Sequence, residues 1–263
     1  MAEEKFQPIS VKPPANSPLL FAIRCWVDLQ LGTIVAHLRP QMAKLQGCIL
    51  DVGAGESPWR EWLPKACSYQ GIDIENAQDY GMGGNKPDVT YFNGLKVPFS
   101  DATFDGAICI EVLEHASDPL GLLSEIARVL KEGAPLLLTV PWSARRHHIP
   151  HDYHRFTRER LEEMFRTCGF RDIEIRERGN DIGVIANKMI VLTIRLLRPA
   201  RWGEGAWSIP LAFPIGCMSI TMLCAAHISS YLGRGSMEDP LGYFIRGTKE
   251  SNHAYQIVPM PNK

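Results

Sequence analysis

The 263-residue chain has no C-x-x-C pair. Its seven cysteines, Cys25, Cys48, Cys67, Cys109, Cys168, Cys217 and Cys224, are odd in number and scattered. That pattern reads as free thiols in a reducing compartment, not as a disulfide framework or a zinc site. Long basic runs are also missing, and 28 Lys and Arg against 29 Asp and Glu leave a net charge of -1. Nothing in the charge calls for a nucleic-acid partner. The opening stretch MAEEKFQPISVKPP lacks the apolar segment of a secretory signal, which points to the cytoplasm. One further absence is local: no Asp, Glu, Lys or Arg occurs from Ala206 to Gly233.

What is present alternates. Residues 1–16 read as a disordered or loosely docked tail. Residues 17–38 are apolar at helical spacing, with Ser17 and Pro18 suited to N-cap and N1. GCILDV (47–52), SYQGIDI (68–74), TFDGAICI (103–110) and PLLLTVPW (135–142) read as buried strands. Between them, SPWREWL reads as a helix stopped at Pro64, and SDPLGLLSEIARVLKEG as an amphipathic helix. TRERLEEMFRTCGF is a further helix between Thr157 and Gly169, and RDIEIRER alternates as an edge strand does. Strands alternating with helices imply a mostly parallel, doubly wound α/β sheet.

The stretch ILDVGAGESP (49–58) closes the first strand on Asp51 and two glycines. A dinucleotide fingerprint needs a third glycine to pack helix on strand, and Pro58 stands in its place. A nicotinamide oxidoreductase is therefore the weaker alternative. A carboxylate at the strand end suits a ligand bearing an amino group. Asp73, at the tip of the second strand, has the spacing of a carboxylate that accepts from ribose hydroxyls. An amino acid at one end and a ribose at the other describe S-adenosylmethionine (SAM).

With LDVGAGES, YQGIDIE, FNGLKVPFSDATFDGAICIEVLEH and EIARVLKEGAPLLLTVP in this order, residues 47–178 resemble the class I SAM-dependent methyltransferases. The resemblance is to the ubiquinone and glycan-cluster type. It implies a seven-stranded, mostly parallel, Rossmann-like sheet with a last strand near 242–248, in GYFIRGTKE. It implies SAM as cofactor, held by Asp51, Gly53, Ala54, Gly55, Asp73, Ile74, Asn93, Gly94 and Glu111. Asn93 departs from the usual Asp near the adenine, and its side-chain carbonyl can accept the same bond. In some relatives E-x-x-E-H holds a divalent metal, here Glu111, Glu114 and His115. In many others it only orders the pocket, and no metal is expected here. After the fifth strand, RRHHIPHDYHRFT offers His148 or His151 as a base for a hydroxyl acceptor, with Asp152 beside them. The other reading of this loop is a structural one that closes over the donor.

The chain divides accordingly into an N-terminal tail and helix (1–46), a SAM-binding core (47–178), an apolar helical insert (179–240) and a last strand with a C-terminal tail (241–263). The insert can cap an acceptor pocket, pack a homodimer or lie in a membrane surface; it is also long enough to span a bilayer, a reading that Pro210, Pro214, Gly216 and His227 weaken. An apolar cap favours a small, lipid-like, quinone or lipid-linked glycan acceptor for O-methylation. A catalytically silent SAM-binding or membrane-associated scaffold is the alternative outside the enzymes.

Overall fold

The computed structural model describes residues 11–75, 86–199 and 202–251. The expectations for the first ten residues and for the tail beyond Ser251 lie outside these. Seven strands form one sheet in the order β3-β2-β1-β4-β5-β7-β6. They are β1 (Cys48–Val52), β2 (Ser68–Ile74), β3 (Val89–Phe92), β4 (Gly106–Ile110), β5 (Pro135–Pro141), β6 (Phe170–Arg178) and β7 (Gly242–Lys249). Only β7 runs against its neighbours, β5 and β6. From β1 the chain winds outward through β2 and β3, then returns to build β4 and β5 on the other side. The strand order thus reverses between β1 and β4, where a ligand crevice opens at the carboxyl ends.

Both faces of the sheet are covered, which is why the inner strands are apolar at nearly every position. On one face, α3 (Pro119–Val129) and α4 (Arg158–Thr167) bury Leu123, Ile126, Leu161 and Phe165 against Leu50, Leu136 and Leu138. On the other, α2 (Leu29–Met42) lays Leu31, Ile34, Leu38 and Met42 over Ile49, Ile108, Leu137 and Phe244. Asp118 caps α3 by accepting from the Gly121 amide, and Thr157 caps α4 through the Arg160 amide.

Three local expectations are corrected. Residues 17–38 are not one helix. They form α1 (Pro18–Val27) and the first part of α2, bent by 115°. Asp28 makes the break, since its carboxylate caps α2 through the Leu31 amide; Ser17 makes no side-chain cap bond. SPWREWL forms a single 3-10 turn, Arg60–Trp62. Pro64 holds Leu63 extended, so the segment has no room for an α-helix. The four-residue strand β3 was not read from the sequence, because VTYF is short and half exposed.

Between β6 and β7 lie α5 (Asp181–Leu196) and α6 (Trp202–Tyr231). They form an antiparallel hairpin, as Asn180 at the start of α5 bonds Ser229 late in α6. Asn180 also caps α5 through the Gly183 amide.

Arg178, at the end of β6, is completely buried. Its guanidinium donates to Glu111 Oε1 (2.8 Å), Val140 O (3.1 Å), Tyr243 O (3.2 Å) and Gln30 O (3.3 Å). A Cβ at Gly242 would strike both the guanidinium and the Val140 carbonyl, so glycine is required there. Replacing Arg178 by Met would take a charged donor from Glu111 and from the Val140, Tyr243 and Gln30 carbonyls, the last of which keeps the Thr33 hydroxyl. Glu111 is 25% exposed on the cavity side, so losing this charged donor costs on the order of 1.5–3 kcal/mol. Urea unfolding followed by circular dichroism should show that loss in Arg178→Met, and restoring part of it by adding Glu111→Met would confirm the pairing.

Candidate active site

A cavity of about 340 Å³ opens over the carboxyl ends of β1 to β4. Its walls are Val52 and Gly53 at the end of β1, Asp73 and Ile74 of β2, Phe92 to Leu95 from the end of β3, and Ile110 to Val112 from the end of β4. His115, His148, His151 and Tyr153 close its far side. The volume is that of a small-ligand site.

The turn after β1 is built for close approach. Gly53 has φ +70°, and any Cβ there would run into Val112. A side chain at Gly53 would therefore first displace the loop after β4, before reaching any ligand. The Gly53 and Ala54 amides both donate to Ile72 O (2.9 and 3.0 Å). Asp73 ties the turn to β2: Oδ2 accepts from the Gly55 amide and Oδ1 from the Ile74 amide, at 2.9 and 2.8 Å. Burial pushes the Asp73 carboxyl up, and these two amides oppose the shift. Lys86 adds a clamp from outside, donating to Gly55 O and to Glu56, both at 3.0 Å.

Of the nine expected donor residues, Gly53, Asp73, Ile74, Asn93, Gly94 and Glu111 line the cavity. Asp51, Ala54 and Gly55 do not. Asp51 is 1% exposed and accepts from the Tyr69 hydroxyl at 2.8 Å. It supports the turn from beneath and presents no carboxylate to a ligand amino group. Ala54 is packed away at 2% exposure, and Gly55 acts through its bond to Asp73. Asn93 faces the cavity, but its Oδ1 accepts from the Leu95 amide at 3.0 Å. The oxygen expected near an adenine amine thus already holds a turn. Leu95 was not foreseen as a wall residue; it is large and 71% exposed, and nothing in the sequence marks it, whereas Tyr153 belongs to the loop read as closing over the donor.

On the far side, Glu111 adopts φ +55°, an unfavourable backbone for a residue with a Cβ. The bond from Arg178 holds its side chain. Glu111 is therefore not aligned with Glu114 and His115 as a three-residue metal set. A different set converges: one ring nitrogen each from His115, His147 and His148 lie within 4.8 Å of one another. Glu114 Oε1 is 3.7 Å from His115 Nε2 and 3.9 Å from His147 Nε2. Among the described residues no group donates a hydrogen bond to either Glu114 side-chain oxygen. Burial and the Glu111 charge hold the Glu114 carboxyl well above the usual range. His115 Nδ1 lies 2.7 Å from the His151 carbonyl, so it carries the proton and Nε2 is the acceptor. Burial pushes the His115 imidazole down to about 4, and it is neutral at pH 7.

His148 and His151 both line the cavity. His148 has φ +51°, and His151 Nδ1 sits 3.0 Å from the Tyr153 hydroxyl. Asp152 does not line the cavity. Its carboxylate is gripped by Arg155 at 2.7 and 2.9 Å and accepts from the His147 amide at 3.1 Å. Burial would raise its pKa, but Arg155 and His147 hold it below the usual value. Asp152 shapes the loop that presents the histidines.

The Asp51 carboxyl is pushed up to about 7 by burial, and the Asp73 charge adds to this. The folded state thus binds a proton that the unfolded chain releases near the ordinary value of 3.8. Stability from this group is full below that value and is lost as pH rises towards 7. The loss is on the order of a few kcal/mol. In Asp51→Asn the uncharged amide can still accept from Tyr69. Urea midpoints measured between pH 4.5 and 7.5 should fall less steeply in the variant than in the wild type; parallel curves would refute the assignment.

A family model described as a methyltransferase domain matches residues 26–175. O-methyltransferase resE of Aspergillus sclerotiorum is 34% identical over 149 residues, covering 49% of this chain and 56% of that protein. The ubiquinone biosynthesis O-methyltransferase of Paracidovorax citrulli is 32% identical over 102 residues, covering 35% of this chain and 43% of that protein. The aligned region spans roughly half the length of such curated relatives. Among solved structures, a SAM-dependent methyltransferase from Archaeoglobus fulgidus superposes with a TM-score of 0.51 at 17% identity, covering 89% of this chain and 100% of that one. That likeness speaks for the fold. The family match takes in the glycine turn, Asp73, the E-V-L-E-H segment and the histidine loop, and with it the chain belongs to the class I SAM-dependent methyltransferases.

Proposed function

We propose that the protein transfers a methyl group from SAM to a hydroxyl of an apolar, lipid-like acceptor met at a membrane surface. The observation that carries the transfer is a single cavity with Asp73 on one wall and His148 and His151 on the other. The residues present fit the donor: Asp73 stands at the tip of β2 with its carboxylate already polarised by two amides, and the glycine turn leaves the wall beside it low. Bound there, SAM would supply an electrophilic methyl on its sulfonium. Asp73 would accept from the ribose hydroxyls, with Ile74, Asn93 and Gly94 flanking the base. His148 or His151 would receive the proton that the acceptor hydroxyl loses. The named relatives that are O-methyltransferases support oxygen as the receiving atom.

The acceptor reading covers quinone-like and lipid-linked glycan molecules. It rests on the apolar insert through the membrane-surface reading of the sequence, not through the cap. Among the described residues no side chain of α5 or α6 lines the cavity. The insert therefore favours an apolar acceptor by where it places the protein, not by roofing the pocket. Residues 47–178 with β7 would form the catalytic unit, and 179–240 the placing device.

Two measurements test this. Asp73→Ala removes a charged acceptor, a loss of roughly 1.5–3 kcal/mol, so calorimetry should show SAM binding weakened about 10- to 150-fold in a folded variant. Unchanged affinity would sink the donor assignment. His148→Ala or His151→Ala should lower kcat by about 100-fold or more, with little change in SAM affinity. The variant that does so identifies the base, and turnover should persist in EDTA.

A further inference from the structure

The packing of the α5–α6 hairpin is reversed in size. Among the described residues, α6 buries Ser208, Ala212, Ser219, Ala226 and Ser229, with Leu223 as the one large fully buried residue and Met222 partly buried near it. Outward it exposes Trp207 (57%), Phe213 (77%), Ile220 (64%) and Ile228 (58%). A helix packed in water does the opposite, because burying a large apolar side chain is what stabilises it. Small residues inside and large apolar ones outside are the arrangement of helices packed in lipid, where close backbone approach and hydroxyl bonds do the holding. The hydroxyl bonds are present: Ser219 Oγ and Thr193 Oγ1 are 2.9 Å apart, and Asn180 Nδ2 donates to Ser229 Oγ at 3.1 Å.

A second, separate element extends the same surface. α1 exposes Leu19 (71%), Leu20 (65%) and Ile23 (51%). It is joined to the end of α6 by stacking of Trp26 on His227 at 5.1 Å, and His227 Nε2 lies 2.8 Å from Trp26 O. From Gly205 to Tyr231 α6 runs 27 residues, of which the most apolar window is only 22% buried. At about 1.5 Å per residue this is roughly 40 Å, more than the ~30 Å hydrocarbon thickness of a bilayer. Charge fits the same surroundings. Between Ile182 and Gly233 the sequence holds Lys188, Arg195, Arg198 and Arg201 against one acid, Glu204. Arg195 lies in the last turn of α5, and Arg24 in the last turn of α1. Cations beside an uncharged apolar segment match anionic phospholipid headgroups. A second copy of the chain would be expected to meet a polar rim around such a patch, and α6 offers no charged residue along this length.

We infer that α6 and α1 together form a bilayer-embedded surface, with phospholipid as their partner. This gives the membrane surface proposed above its contact elements, though it rests on helix packing and not on the methyl-transfer reading. The test is flotation of the purified full-length chain with vesicles of phosphatidylcholine and phosphatidylglycerol. The wild type should rise with the vesicles, and brominated phosphatidylcholine should quench its tryptophan fluorescence through Trp26 and Trp207. The triple variant Leu20→Glu, Phe213→Glu, Ile220→Glu should bind vesicles at least about tenfold more weakly, while calorimetry shows its SAM affinity unchanged. A wild type that stays at the bottom of the gradient, or sediments as a dimer unaffected by vesicles, would overturn the inference. So would a triple variant that floats like the wild type. A wild type that floats but binds no SAM would support the membrane surface and refute the donor assignment instead, so the two readings fail separately.

Discussion

A guanidinium with no access to water sits where β4, β5, β6, β7 and α2 come together. Arg178 cannot stay charged there unless its donors are all used, because an unpaired buried cation is far too costly. It uses them on one carboxylate, on three main-chain carbonyls from α2, β5 and β7, and on the Thr33 hydroxyl. The arrangement dictates much around it. Residue 242 must be glycine to let the side chain pass. Glu111 must turn back from the strand end, at the expense of a left-handed backbone. Gln30 is anchored as well, its side-chain amide donating to Leu241 O. The antiparallel pair β6–β7 is thereby tied to the carboxyl end of the parallel strands, with one ion pair joining the sheet edge to the cavity wall.

Most of the sheet was legible because buried strands of this fold are continuous apolar runs, and β1, β2, β4 and β5 are such runs. α3 and α4 were legible from their amphipathic period, and α4 also from Thr157 ahead of it; the Asp118 cap of α3 was not read. The failures share a cause. Asp28, Pro64 and VTYF decide structure over three or four residues, where a period cannot be recognised. The bend at Asp28 looks like one polar residue within a helix, and only the second helix packing at 115° shows it to be a cap.

At the site, residue type and spacing located the strand ends but not the direction of side chains. Asp51 and Asp73 both end strands, and both are carboxylates near the glycine turn. One faces Tyr69 in the interior and the other faces the cavity, since the next turn of backbone decides which side is open. The histidine loop shows the same limit. Composition gave four histidines and an Asp within eight residues. The grip of Arg155 on Asp152 then takes the carboxylate out of the chemistry and leaves imidazoles in the wall. Arg178 itself gave no signal, being the last letter of an ordinary alternating strand.

The place where the hairpin joins the sheet has a consequence of a different kind. Arg178 and Gly242 are partners across the β6–β7 ladder, and the Leu241 amide donates to Arg178 O. The chain therefore leaves and re-enters the sheet at neighbouring points. Seen from the sheet, α5 and α6 are only an enlarged turn, and loop-closure entropy rises slowly with the length of such a turn. The segment is thus a cassette: it can lengthen, shorten or be exchanged for another without altering the distance its ends must span. A fold with a fixed donor cavity can in this way be delivered to different surroundings by changing one insertion.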